Sequence, residues 1–373
     1  MALKRKRGDI SALQAKFEAQ KIVFGPLAFQ AAYALRELGL LRRAAEAGEA
    51  GLSRREAADL AGLSSYAAGV LMDMGLVMGL FRTAGSGETG ETGAGGSGAE
   101  ERFRLAKIGW FLLEDELTRV NFDFVQDVCY QGAQSLADSA RSGRPEGLAV
   151  FGRGWRSIYE ALSSLPERAG KSWFAFDHYY SDLAFPEVLP LVFSPPPKRL
   201  FDLGGNTARW ALACCAFDPE VQVTIIDLPG QIRVAEQKAA EAGLSGRIRC
   251  RPCDILDPES VFPEGADVVW MSQFLDCFSL EQVTGILAKI WRSVEPGARI
   301  YVLEPLLDKQ FYPAAEYSLH AVSLYFTCMA NGQSRMYRGG ELVPAVEKGG
   351  FKLQEAWHGL GDNQYSLLCF GKV

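Results

Sequence analysis

The sequence predicts an α/β fold, with a mostly parallel sheet in its C-terminal half and an all-α domain ahead of it. Three observations predict this. After Pro195-Pro196-Pro197, short β-branched runs alternate with helical segments. Before that boundary, apolar residues recur at three- and four-residue steps, the period of a helix. The first β-like run then ends in Asp202-Leu203-Gly204-Gly205-Asn206, a glycine turn leading from strand into helix. The expected divisions are residues 1–105, a helical linker or lid over 106–195, and the sheet domain over 196–373.

Length and composition agree with this. The 373 residues suffice for two domains with at least one large core. With 48% hydrophobic and 23% charged residues, the chain reads as an ordinary globular protein. No apolar run approaches the ~20 residues that span a bilayer, so no membrane partner is expected. The net charge of −6 argues against a large nucleic-acid footprint. Met1-Ala2-Leu3-Lys4-Arg5-Lys6-Arg7 is basic but short, and no apolar stretch follows to make it a secretory signal. Eight scattered cysteines suggest a reducing cytoplasm rather than a disulfide framework. Cys250-Arg251-Pro252-Cys253 lacks further ligands nearby, so no metal is expected.

In the N-terminal part, residues 10–41 read as helix broken near Gly25-Pro26 and closed by Gly39. Ser53 can cap the next helix and Glu56 can complete its capping box. A third helix is expected from Tyr66 to Gly75. This order of helices resembles a winged helix. Residues 83–99, with seven glycines, suit an elongated wing and are expected to be mobile. The helices are rich in alanine and leucine with mixed charge, which fits a dimerisation platform better than a DNA reader.

In the C-terminal part, strands are expected at Arg199–Leu203, Gln222–Asp227, Ile248–Cys253, Val268–Met271, Arg299–Glu304 and Gln364–Phe370. Helices are expected to start near Thr207, Gln231, Leu280 and Glu341. Such a Rossmann-like sheet binds ligands beyond the carboxyl ends of its strands. Asp227 ends the second strand some ~20 residues after the glycines, the place of a carboxylate that accepts ribose hydroxyls. Asp254 follows the third strand, where it can accept an exocyclic adenine amine. The run Gly204-Gly205-Asn206-Thr207-Ala208-Arg209 misses the spacing that cradles a pyrophosphate. A nucleoside without one, S-adenosylmethionine, is therefore the favoured cofactor.

At this point the residues resemble a family, the class I small-molecule O-methyltransferases of plants and bacteria. Phe29 to Leu41 looks like the first dimerisation helix and Leu52 to Phe81 like the winged-helix core. Asp202-Leu203-Gly204-Gly205, Asp227-Leu228-Pro229, Asp254-Ile255, Glu304-Pro305 and Gly349-Gly350-Phe351 follow in the family's order. The resemblance implies transfer of a methyl group to a small aromatic or polyketide-like acceptor, most simply to oxygen, by a homodimer. It implies cofactor contacts at Asp202, Gly204, Gly205, Asn206, Asp227, Leu228, Cys253, Asp254, Ile255, Met271, Ser272, Gln273 and Tyr180.

The departures from the family fall on the first cofactor loop, where Asn206 and Ala208 stand at positions that are commonly glycine, and on the catalytic residues. Ser272 stands at a lysine position, Asp276 at the position of the catalytic histidine, and Ser334 where a second glutamate is common. Methylating a hydroxyl requires removal of its proton. The candidates are Asp276, if burial raises its pKa, His178 in the cluster Phe176-Asp177-His178-Tyr179-Tyr180, and Glu304. His320 and His358 are weaker candidates. Tyr317, His320, Leu324, Tyr325, Cys328 and Met329 can line an acceptor pocket or simply pack a core. Transfer to carbon or nitrogen, or a cofactor-binding homologue that no longer methylates and serves as a scaffold, stays open.

Overall fold

A computed structural model describes residues 10–84 and 101–373. The basic opening segment and all but the first residues of the glycine-rich stretch lie outside the described residues. The chain forms two compact units that meet in sequence at Phe122 and Asp123.

The N-terminal unit has helices at Ala12–Val23, Gly25–Glu37, Leu40–Glu46, Arg54–Ala61 and Ser65–Val77. Pro26 sits in the first turn of its helix, where a missing N–H breaks no bond. Gly39 takes φ 72°, a left-handed value that turns the chain into the next helix. Ser53 Oγ accepts the Glu56 N–H at 3.2 Å while the Glu56 carboxylate accepts the Ser53 N–H at 2.9 Å, the expected capping box. Strands β1 (Leu52–Ser53), β2 (Phe81–Thr83) and β3 (Arg102–Leu105) pair antiparallel in the order β1-β3-β2, so a small wing sheet completes the helices. Leu35, Leu40, Leu41, Met72, Phe81 and Phe103 close the core. The Ala12–Val23 helix buries none of its residues within the chain; Leu13 is 83% and Ile22 79% exposed.

The C-terminal unit is built on seven strands: β4 (Arg199–Leu203), β5 (Gln222–Asp227), β6 (Ile248–Pro252), β7 (Val268–Ser272), β8 (Arg299–Glu304), β9 (Phe351–Leu360) and β10 (Tyr365–Lys372). Their order is β6-β5-β4-β7-β8-β10-β9. The first five run parallel; β10 runs antiparallel to both β8 and β9. β9 is a strand beyond those expected. It is the sheet edge and most of its side chains are solvated, so its run Lys352-Leu353-Gln354-Glu355 shows no apolar signal. Strand order reverses between β4 and β7, which opens a crevice at their carboxyl ends. One sheet face packs Phe201, Leu203, Met271 and Val302 against Ile286 and Ile290 of the Leu280–Ser293 helix. On the other face Trp210 stacks on Trp270 with ring centres 3.9 Å apart.

Candidate active site

A cavity of about 400 Å³ opens at the carboxyl ends of β4, β5 and β7. Its cofactor half is shaped by the turn after β4. A Cβ on Gly204 would lie 2.5 Å from the Phe274 ring, and one on Gly205 only 2.7 Å from Asp202 Oδ2, so neither position has room for a side chain. Asn206 and Ala208 stand where glycines were expected, yet both take positive φ, 47° and 65°. Asn206 is anchored on three sides. Its N–H donates to Asp227 Oδ2 at 2.9 Å, its Nδ2 donates to Asp177 Oδ2 at 2.9 Å, and its Oδ1 accepts from Gln231 Nε2 at 2.7 Å. Asparagine tolerates the left-handed region better than most residues, and these bonds hold it there.

The carboxylates behind the turn are strained by burial. Asp202 Oδ2 is buried with no partner, and its carboxyl is pushed up to about 8 by burial and then by the charge of Asp227. Asp227 is pushed up to about 6 by burial, against the pull of the Asn206 and Leu228 N–H groups. Asp254 accepts the Leu256 N–H at 3.0 Å and pairs with Arg156 at 3.2 Å. A buried carboxyl group with an unpartnered oxygen, beneath a turn with no room for side chains, fits a cationic nucleoside such as S-adenosylmethionine, whose charge would favour its ionised form.

Of the residues expected at the site, Asp202, Gly204, Gly205, Asn206, Asp227, Leu228, Cys253, Asp254, Ile255, Ser272, Gln273, Asp276 and His178 reach the cavity wall. Three do not. Met271 lies in the core on the opposite sheet face, because its neighbours Trp270 and Ser272 face the cavity and strand side chains alternate. Tyr180 is buried against Phe176, with ring centres 4.7 Å apart. Glu304 is buried at the end of β8, and its Oε1 accepts the N–H groups of Phe274, Leu275 and Asp276 at 3.1, 2.9 and 3.4 Å. It braces the turn that carries Asp276, and burial followed by the charge of Asp276 raises its pKa well above the usual carboxylate range.

Asp276 is 4% exposed and sits at the aromatic end of the cavity with Tyr159, Phe278 and Tyr325. Burial pushes its carboxyl up to about 7, against the hydrogen bonds of Cys277 and local backbone. His178 Nε2 is 2.8 Å from Thr207 Oγ1 and its Nδ1 3.5 Å from Arg209. Arginine can only donate, so Nδ1 accepts and Nε2 carries the hydrogen. Burial, and then Arg209, pushes His178 down to about 4, leaving it neutral with both nitrogens engaged.

The other residues suggested for the acceptor pocket divide. Tyr325 reaches the cavity and accepts the Trp173 Nε1–H at 2.8 Å. Tyr317 and Leu324 are exposed, and Cys328 and Met329 are buried where Gly132 and Gly147 approach. His320 is exposed beside Glu316, and His358 bonds Ser366 Oγ on the sheet edge. Asp177, Thr207, Tyr159 and Trp210 line the cavity without having been expected there. For Asp177 a signal existed: it stands beside His178 in the cluster Phe176-Asp177-His178-Tyr179-Tyr180. Cys250 and Cys253 are free thiols, and no cluster of metal ligands occurs among the described residues. No single helix among them is long and apolar enough to cross a membrane.

A glycine turn after β4, carboxylates after β5 and β6, and an aromatic end facing the turn define a nucleoside-dependent transferase of small molecules. Comparison with known proteins makes this specific. The O-methyltransferase domain family matches residues 134–351, and the Dimerisation2-like domain matches residues 16–85. The chain belongs to the O-methyltransferase domain family, and it is an S-adenosylmethionine-dependent methyltransferase of small molecules. It is 27% identical over 253 residues to the L-tyrosine C(3)-methyltransferase of Streptomyces lavendulae, covering 67% of this chain and 68% of that one. It is 31% identical over 178 residues to the aclacinomycin 10-hydroxylase of Streptomyces purpurascens, covering 48% of this chain and 45% of that one. The solved S-adenosylmethionine-dependent methyltransferase SibL superimposes with TM-score 0.67 at 26% identity, over 94% of this chain and 98% of that one.

Proposed function

We propose that the protein methylates the oxygen of a small phenolic acceptor, with Asp276 taking the hydroxyl proton. The carrying observation is the place of Asp276: buried, on the aromatic end of the cavity, with a carboxyl pushed up to about 7. A base with that pKa is about half ionised at neutral pH and holds a proton well, the balance general-base work needs. Asp202, Gly204, Gly205, Asn206, Asp227 and Asp254 would hold S-adenosylmethionine, which when bound supplies the electrophilic methyl. His178 orders the turn through Thr207. Glu304 fixes the peptide that carries Asp276. Tyr159, Phe278 and Tyr325 keep water from the reacting hydroxyl.

The test is transfer of a labelled methyl group to a panel of simple phenols. Product from the wild type and not from Asp276→Asn supports the reading; equal rates in both would sink it. A second reading, methylation of the ring carbon beside the hydroxyl, is favoured by the tyrosine C(3)-methyltransferase relative. The same proton removal then sends charge into the ring. Mass spectrometry of the product separates the two, since a carbon-methylated phenol keeps its hydroxyl.

In this reading the N-terminal unit makes a homodimer through the solvated apolar residues of its first helix, and the segment 106–195 serves as a helical lid. The protein works in the cytoplasm, without nucleic acid or membrane.

A further inference from the structure

The charges on the cavity wall are unevenly shared. Arg156 and Arg209 are the only cations among the described residues that line it. Both are engaged: Arg156 with Glu160 at 2.6 Å and Asp254 at 3.2 Å, and Arg209 with Asp182 at 3.1 Å. Two further carboxylates, Asp202 and Asp227, belong with Asp254 to the cofactor half. Two remain, Asp177 and Asp276, which line the same cavity as Trp173, Phe176, Phe278 and Tyr325. No lysine or arginine accompanies them.

Asp177 projects from the Glu167–Asp182 helix, and one of its oxygens is held by Asn206 Nδ2 at 2.9 Å. An ionised carboxylate has about four acceptor sites. Burial pushes its carboxyl up to about 7, with Asp182, Asp276 and Asp227 adding repulsion to the help Asn206 gives. A cation arriving between Asp177 and Asp276 would relieve both, and the aromatic rings around them favour a cation further. An anion would meet two like charges with no donor cation to receive it.

We propose that Asp177 is a specificity residue of the acceptor end, receiving the protonated amine of an amine-bearing phenol and excluding phenols whose only charge is a carboxylate. Asp276 is thereby left to the hydroxyl. The inference rests on this cavity being the acceptor site.

The experiment is calorimetry at pH 7.5 on protein saturated with S-adenosylhomocysteine. The probes are tyramine, 4-ethylphenol and 3-(4-hydroxyphenyl)propionate, alike in size and different in charge. Tyramine is expected to bind about tenfold tighter than 4-ethylphenol, and the propionate weakest of the three. In Asp177→Asn, whose amide oxygen can still accept from Asn206 Nδ2, tyramine and 4-ethylphenol converge. The proposal is overturned if the propionate matches tyramine, if tyramine has no advantage (absence of binding by all three included), or if the variant keeps the preference. Loss of S-adenosylhomocysteine binding in Asp177→Asn overturns it too, by moving Asp177 to the cofactor half. Failure of methyl transfer to phenols would defeat the proposed reaction while leaving these binding comparisons readable.

Discussion

At the scale of single residues, the chemistry turns on where burial has moved a proton. In the proposed reaction Asp276 must be ionised to act as a base, and burial pushes its carboxyl up to about 7. Activity is therefore expected to fall as pH drops below about 7, where an ordinary carboxylate would stay ionised to about 4. Asp276→Asn should cost on the order of 100-fold in kcat. His178→Ala should change cofactor affinity while leaving the acidic limb of the profile in place, because its ring nitrogens already serve Thr207 and Arg209. Asp227→Ala removes the acceptor of two backbone N–H groups and a contact expected for the ribose. Calorimetry with S-adenosylhomocysteine should show binding weaker by about 1.5–3 kcal/mol. These assignments were partly legible in the sequence. The place of Asp227 and Asp254 on the cavity wall was, since a carboxylate at the end of a strand announces itself by position. The buried state of Asp276, and the engagement of both His178 nitrogens, depend on residues far away in the chain and had no sequence signal.

At the scale of elements, the turn after β4 is the most demanding piece of backbone. Gly205→Ala is expected to push the loop off Asp202 and Ile225, whose nearest atoms lie 2.7 and 2.8 Å from the new Cβ position. The measurable outcome is a loss of S-adenosylhomocysteine affinity with the sheet still folded by circular dichroism. The inner parallel strands β4, β7 and β8 were readable because they are buried on both faces and so run as apolar stretches. β9 was not, because an edge strand with a solvated face carries no such run. Met271 was misplaced for a related reason: strand residues alternate, and assigning a whole segment to the cofactor ignores which side each faces. Tyr180 was misplaced because a helical aromatic cluster does not declare which of its rings faces inward.

At the scale of the whole molecule, the carboxylates of the cavity act together on stability. Asp202, Asp177, Asp276 and Asp227 all have folded pKa values raised above the unfolded value near 4. The stability they contribute is present below about pH 4 and is lost as pH rises through about 6 to 8. The cofactor-free protein should melt at a lower temperature at pH 8.5 than at pH 5.5. Asp202→Asn should flatten that difference in calorimetric scans. In the N-terminal unit, Leu13 and Ile22 lie on the surface of a helix that buries nothing within its own chain. Leu13→Asp is expected to shift the protein toward monomer in sedimentation, as a solvated face that serves no interface would not. Finally, Asn206 bonds Asp227 on the cofactor side and Asp177 on the acceptor wall. One side chain thus joins the cofactor turn to the part of the cavity wall that carries Asp177. The expected kinetic consequence is an ordered reaction: cofactor first, acceptor second, methylated product released before S-adenosylhomocysteine. In product-inhibition plots S-adenosylhomocysteine should compete with the cofactor and never with the acceptor.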